Sequence, residues 1–375
     1  MRRLLAVLCL VFGSLGVAAP AGAATPSAVT LDVQTYNLNL GADLTPLFGA
    51  TDLASLRAGA AHVYGEAVAS LPGERMRAIA EIIAGQRPDV AGLQEVALWS
   101  LAPYAIVGGF PVATGPYVPS YDFLALLLDD LAALGQPYRA VAVNTNFDSG
   151  TAIPIAVPIS DTTAARYTDR NVIIVRDGAH LSTSNAQQAN YQATFSVTLL
   201  GQTVPVHRGW TSVDIGVRGR TFRFLDTHLE AYGLPPLKDQ IRNPQAVELA
   251  ALVEASPYPT TVVGDINAVP TMCPAQGANN VAYGTLVNAG LTEVWPLVHP
   301  DDPCSPASWT SGQSSVYGPV STLSHRIDDV FVSAEFSALQ TDVVGDSPAE
   351  LSQPNGLWPS DHASTVAKVR LDAAP

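Results

Sequence analysis

Cations are scarce in this chain: its 375 residues carry 19 Lys and Arg against 33 Asp and Glu, a formal net charge of −14. Binding to a nucleic-acid backbone draws its free energy from cationic groups that displace condensed counterions. This balance therefore weighs against a polyanionic partner unless metal ions or a local basic patch offset it. Cysteine is sparser still, with three. No Cys-x-x-Cys or His-x-x-x-His spacing occurs, which argues against a dedicated structural zinc site. A Gly-x-Ser-x-Gly elbow, a Gly-x-x-x-x-Gly-Lys-Ser/Thr loop and a Gly-x-Gly-x-x-Gly turn are also missing, so serine-hydrolase, ATP-driven and dinucleotide chemistries have no support.

The one long apolar run falls short of the roughly 20 residues that span a bilayer. It follows Arg2 and Arg3, extends through Val17 and ends at Ala21-Gly22-Ala23, the pattern of a secretory signal peptide over residues 1–23. Its removal takes two arginines and no acid, leaving 17 basic and 33 acidic groups, a net of −16. Cys9 leaves with it, and in an oxidising compartment a disulfide between Cys273 and Cys304 is expected. Residues 24–375 contain no low-complexity linker and read as a single secreted catalytic domain, with an insertion at about 99–161.

Val29, Leu31 and Val33 alternate with polar residues, the period of a half-buried strand, and carry Asn37 on the apolar face. Met76, Ile79, Ala80 and Ile83 have helical spacing, stopped near Gly85 and Pro88. Three more apolar strands end in polar groups: Val90 to Glu95, Phe222 to His228, and Thr261 to Asp265. Asn243-Pro244 reads as the cap of a helix running to about Glu254. Alternation of helices and strands predicts an α/β or layered α+β fold, with polar groups gathered where strands end. The segment Phe123 to Leu134 is almost wholly apolar, either a buried core helix or a substrate- or membrane-facing element.

The polar segments are candidates for chemistry, with ordinary turns, which use the same residues, as the alternative for Asp265-Ile266-Asn267 and Ser360-Asp361-His362. In Gly264-Asp265-Ile266-Asn267 a carboxylate and an amide two positions apart can hold an attacking water and a phosphoryl oxygen. Trp358-Pro359-Ser360-Asp361-His362 offers an imidazole, which needs a carboxylate to fix its tautomer, and Asp328 is the candidate for that carboxylate. Glu95 suits a hard cation such as Mg²⁺.

The order of these motifs, Tyr36-Asn37, Leu93-Gln94-Glu95-Val96, Asp226-Thr227-His228-Leu229, Gly264-Asp265-Ile266-Asn267, Arg326-Ile327-Asp328 and Ser360-Asp361-His362, resembles the endonuclease/exonuclease/phosphatase superfamily. The resemblance covers about Val29 to Leu371 and implies a four-layer α/β sandwich, two mixed β-sheets packed face to face with helices outside. By it, Glu95 holds Mg²⁺ (Mn²⁺ or Ca²⁺ as alternatives), with Asn37 contacting phosphate or a metal-bound water and Asp361 as a secondary metal or water ligand. Asp265 would activate water, Asn267 stabilise the transition state, Asp328 orient His362, and His228 stand as general acid at the leaving group. Asn39 occupies a position where abasic endonucleases carry Asp, and it is a candidate substrate contact. Asn171, in Asp169-Arg170-Asn171 ahead of the apolar run Val172 to Val175, is another, with a strand-entry turn as the alternative.

Export, the acidic surface and the apolar, aromatic segment after Trp99 favour a monomeric phospholipase C or sphingomyelinase-like phosphodiesterase. Its substrate would be a lipid head group or small phosphodiester, with transient contact at a membrane surface. An extracellular nuclease acting on nucleic acid and a phosphomonoesterase are the alternatives. A scaffold that kept the fold and lost the chemistry is disfavoured, because every ligand and proton-transfer position holds a competent side chain.

Overall fold

The computed structural model describes residues 27–234, 236–313, 320–351 and 356–373, so the expected signal peptide lies outside the described residues. Two mixed sheets dominate. The larger places, in order, strands Phe336–Val344, Ser364–Leu371, Val29–Asn37, Val90–Gln94, Thr163–Arg176, Leu98–Val107 and Phe110–Ala113, with Tyr138–Asp148 also paired to Thr163–Arg176. The smaller runs Thr292–Glu293, Asp328–Val332, Thr260–Asp265, Arg220–His228, Gly209–Val217 and Ser182–Asn190.

The alternation read in the first strand decides how the sheets meet. Val29, Leu31 and Val33 point inward and pack with Val90 and Ile173 of their own sheet and Phe224, Val263 and Val330 of the other. Tyr36, on the opposite face, joins Met76, Ile79 and Ile83 of the helix Pro72–Gln86 in the outer layer. Leu249 and Val253 of the helix Leu237–Glu254 cover the outer face of the smaller sheet with Leu225 and Val262. The result is the helix, sheet, sheet, helix sandwich that the motif order implied. Gly92 lets the sheets close, since a Cβ there would lie 2.5 Å from Val263 and 2.7 Å from the Asp226 carboxylate.

Helix Phe123–Ala133 resolves its two readings in favour of the core. Phe123, Leu127 and Leu131 are buried against the helix Pro72–Gln86. The exposed apolar side chains of this region lie instead on the preceding hairpin, where Ile106, Val107 and Phe110 are each more than half exposed. Among the described residues no helix is long and apolar enough to cross a membrane.

Two sequence expectations are corrected. Asn243-Pro244 does not begin a helix. The helix starts at Leu237 and Pro244 lies inside it, because the turns before the proline are anchored by Arg242, which bonds both Asp239 and the Asn267 carbonyl. Nor does Asp169-Arg170-Asn171 form a turn ahead of a strand; all three lie within the strand Thr163–Arg176, which pairs on both sides. Cys273 and Cys304 are joined, as expected.

Candidate active site

The parallel strands Val29–Asn37 and Val90–Gln94 pair with Asn37 beside Gln94. In the other sheet His228 pairs with Asp265, and Asp265 with Asp328, so three candidate residues occupy one rung across three adjacent strands. All five strands bring these residues to the same end of the sandwich, where the inter-sheet face turns from apolar to polar. One layer deeper, Gln94 reaches across to Asp226 and Thr211 also donates to that carboxylate, a buried bridge that precedes the site in both sheets.

Asp265 is the centre. Its Oδ2 accepts from Asn37 Nδ2 at 3.1 Å, and its Oδ1 accepts from the Asn267 backbone N–H at 2.9 Å. Burial and the neighbouring Asp328 charge push its pKa up to about 7, against the lowering effect of His362 and these hydrogen bonds. Gly264 is required just before it. Its φ is +147°, and a Cβ would fall 2.0 Å from the Thr227 carbonyl oxygen.

His362 donates from Nδ1 to Asp328 Oδ2 at 2.7 Å, since a carboxylate can only accept. Its Nε2 is 3.9 Å from Asp265 Oδ2. Burial alone would lower the imidazole's pKa, but Asp328, Asp361 and Asp265 override it and hold it well above the usual range. Thr310 Oγ1 also donates to Asp328 Oδ2, at 2.7 Å, and Ser360 Oγ donates to the Asn37 carbonyl while accepting from the His362 backbone N–H.

His228 differs. Arg208 Nη1 stands 3.1 Å from its Nδ1, and a guanidinium can only donate, so the imidazole proton sits on Nε2, 3.4 Å from Asp265 Oδ2. Burial, the Arg208 charge and the His362 charge hold its pKa well below the ordinary value. A histidine held neutral in this tautomer is a hydrogen-bond donor through Nε2.

Glu95, Asn39 and Asp361 line one groove. Glu95 and Asn39 both have left-handed backbones, with φ of +53° and +56°, as does Asn267 at +50°. Such conformations cost of order 1–3 kcal/mol and persist where surrounding structure imposes them. The Leu40 N–H donates to Glu95 Oε2 at 2.8 Å. Burial, then Asp361 and Asp169, raise the Glu95 pKa to about 6 despite Arg208. Two carboxylates close enough for the Asp361 charge to raise the Glu95 pKa, in a partly desolvated groove, are a fitting donor pair for a hard divalent cation, and the Asn39 Oδ1 beside them accepts from the Gly41 N–H. Asp265, Asp328 and His362 also bring one donor atom each within 4.8 Å, but the His362 to Asp328 hydrogen bond already engages that pair.

Asn37 is engaged at both ends of its amide. Its Oδ1 accepts from the Asn39 N–H and its Nδ2 donates to Asp265, so it links the two sheets. Asn171 is not brought to the groove. It is fully buried, accepts from Asn146 and donates to the Gly209 carbonyl.

Sequence reasoning missed Arg208 and Arg75. Arg208 is buried beside Glu230, Asp169 and the Tyr232 ring. Arg75 donates to the carbonyls of Ser70, Leu38, Pro359 and Asn39, clamping two of the loops that form the groove. A cation on the buried stripe of an amphipathic helix was the available signal for Arg75.

A family model of the Endonuclease/Exonuclease/phosphatase family matches residues 35–362, the span from the end of the first strand to His362. The chain belongs to that family. Members of the Endonuclease/Exonuclease/phosphatase family are hydrolytic phosphoesterases and nucleases that depend on divalent metals. Solved structures share the fold. A family protein from Bacteroides thetaiotaomicron is 17% identical with a TM-score of 0.54, covering 92% of this chain and 99% of that one. One from Leptotrichia buccalis is 16% identical with a TM-score of 0.52, covering 90% and 99%. D. rerio TDP2, solved with a single-strand DNA product, is 13% identical with a TM-score of 0.51, covering 91% and 98%. No curated protein matches the sequence.

Proposed function

We propose that this chain is an exported, Mg²⁺-dependent phosphodiesterase acting on a lipid or small-molecule phosphodiester, with residues 24–375 as one catalytic domain. The observation that carries the reading is the convergence on Asp265 of Asn37, the Asn267 N–H, His228 and His362, beside the groove shared by Glu95 and Asp361.

Glu95 and Asp361, with Asn39, would hold the cation, which when bound neutralises phosphoryl charge. Asp265, with a pKa near neutrality and both oxygens fixed, takes the proton of a water aligned on phosphorus. His362, kept charged by Asp328, and neutral His228, through Nε2–H, donate to oxygens on which charge develops. Asn267 adds an amide at the same edge. The scarcity of cations and the apolar hairpin tip at Ile106, Val107 and Phe110 favour a lipid surface over a polyanion.

A nuclease is the second reading. Lys238 and His325 line a hollow next to Asn267, together with the Arg242–Asp239 ion pair, and a strand like the one in the TDP2 complex would lie there.

Purified protein with Mg²⁺ should hydrolyse bis-p-nitrophenyl phosphate and turn over phosphatidylethanolamine or sphingomyelin more readily than it nicks plasmid DNA, and EDTA should stop all of these. Robust DNA cleavage without lipid turnover would overturn the ranking. Activity surviving exhaustive chelation would remove the metal role of Glu95.

A further inference from the structure

Beside the groove lies a second cavity that the phosphoryl chemistry does not use. Of the side chains around it, only Ser149, Asp169 and Arg208 are neither apolar nor aromatic. Its walls come from the loop after the first strand, the helix Leu53–Ala69, the larger sheet and the separate hairpin Phe195–Leu199 with Gln202–Val206. That hairpin is held in place by Gly49 N–H to the Thr198 carbonyl and Leu200 N–H to the Ala50 carbonyl.

The cavity adjoins the catalytic groove, with two side chains, Leu40 and Tyr232, forming walls of both. Leu40 also carries the N–H that holds Glu95, while its carbonyl accepts from Trp99, another cavity wall. At the shared rim Tyr232 packs edge-on against Phe48 at 5.5 Å and stacks on Phe195 at 6.0 Å. Arg208, under the Tyr232 ring, bonds His228 on its other side. An apolar space a few side chains from a phosphoryl site has little to offer water and much to offer a hydrocarbon.

We propose that this cavity seats the acyl or alkyl chain of the phosphodiester substrate, the chain entering between Leu40 and Tyr232 while the phosphate rests against Glu95, Asp265 and His362. This rests on the phosphodiesterase reading above and adds to it the part of the substrate that selects. The hydroxyls and heteroatoms of a nucleotide or sugar would find polar partners there only in Ser149, Asp169 and Arg208.

The test uses n-alkyl p-nitrophenyl phosphates from methyl to decyl, with Mg²⁺. Burying each further methylene should raise kcat/KM about three- to fourfold until the cavity is filled, after which the series levels. Val197→Phe and Val206→Phe, on separate strands of the hairpin and both half-buried, should fill the cavity. They should flatten the series while leaving methyl p-nitrophenyl phosphate turnover unchanged. A series flat in the wild type, or a rise that both variants leave intact, overturns the proposal. If no ester is hydrolysed, the phosphodiesterase reading fails and calorimetric binding of decyl phosphate decides the cavity's role. Binding weakened at least tenfold in either variant supports it; no binding, or equal binding in all three proteins, overturns it.

Discussion

Asp265→Asn should lower kcat/KM on bis-p-nitrophenyl phosphate by about 1,000-fold or more, with the melting temperature held or raised. General-base catalysis contributes about 10²- to 10⁴-fold, and a pre-aligned water is lost along with the base. Geometry adds to the loss. Both carboxylate oxygens accept hydrogen bonds, from Asn37 Nδ2 and from the Asn267 N–H, so an amide must turn its NH₂ toward one of these donors. Stability should not suffer in proportion, because burial and Asp328 already disfavour the charged form of Asp265. Steady-state kinetics with a thermal melt on the same sample separates the two effects. Retention of a tenth or more of wild-type activity would remove Asp265 from the role of base.

Arg75→Met should cost about 3 to 5 kcal/mol of stability, since each hydrogen bond to a charged group contributes about 1.5 to 3 kcal/mol and several buried carbonyls lose their donor together. Methionine fills much of the space but leaves the Ser70, Leu38, Pro359 and Asn39 carbonyls without their donor. Two of those carbonyls belong to the loop that carries Asn39 and one to the segment leading into Asp361, both on the rim where Glu95 lies. The stabilisation that Mg²⁺ gives the wild type should therefore shrink in the variant as well. Denaturant unfolding with and without Mg²⁺ reads both quantities. A loss under about 1 kcal/mol with an unchanged Mg²⁺ response would show that the loops hold themselves.

The parts of the site that could be read in the sequence are those written by short-range periodicity. Asn37, His228 and Asp265 each end an apolar strand and Glu95 directly follows one, and short apolar runs of that kind are enough to put them at one edge. What could not be read was long-range. Arg208 and Tyr232 matter because of what folds against them from distant segments, and nothing near them in the chain announces it. Asn243-Pro244 misled because an N-cap followed by proline looks the same as an asparagine and proline inside a helix. Arg242 bonding across to Asn267 is what tips that balance, and it spans 25 residues. The His228 tautomer was equally hidden, since it depends on the direction of one guanidinium.

The first strand of the large sheet lies between Val90–Gln94 and Ser364–Leu371, with Val29 opposite Leu371. A chain emerging from the ribosome or a translocation pore therefore presents Asn37 more than 320 residues before Ser360 arrives to bond its carbonyl. Until then the first strand has one unpaired edge and the site lacks His362. Contacts of such sequence separation form late and slowly. The hydrolysis proposed above, which uses His362, would begin only once the final strand has docked, and a refolding experiment should show turnover appearing last, after the helices and the central strands have formed.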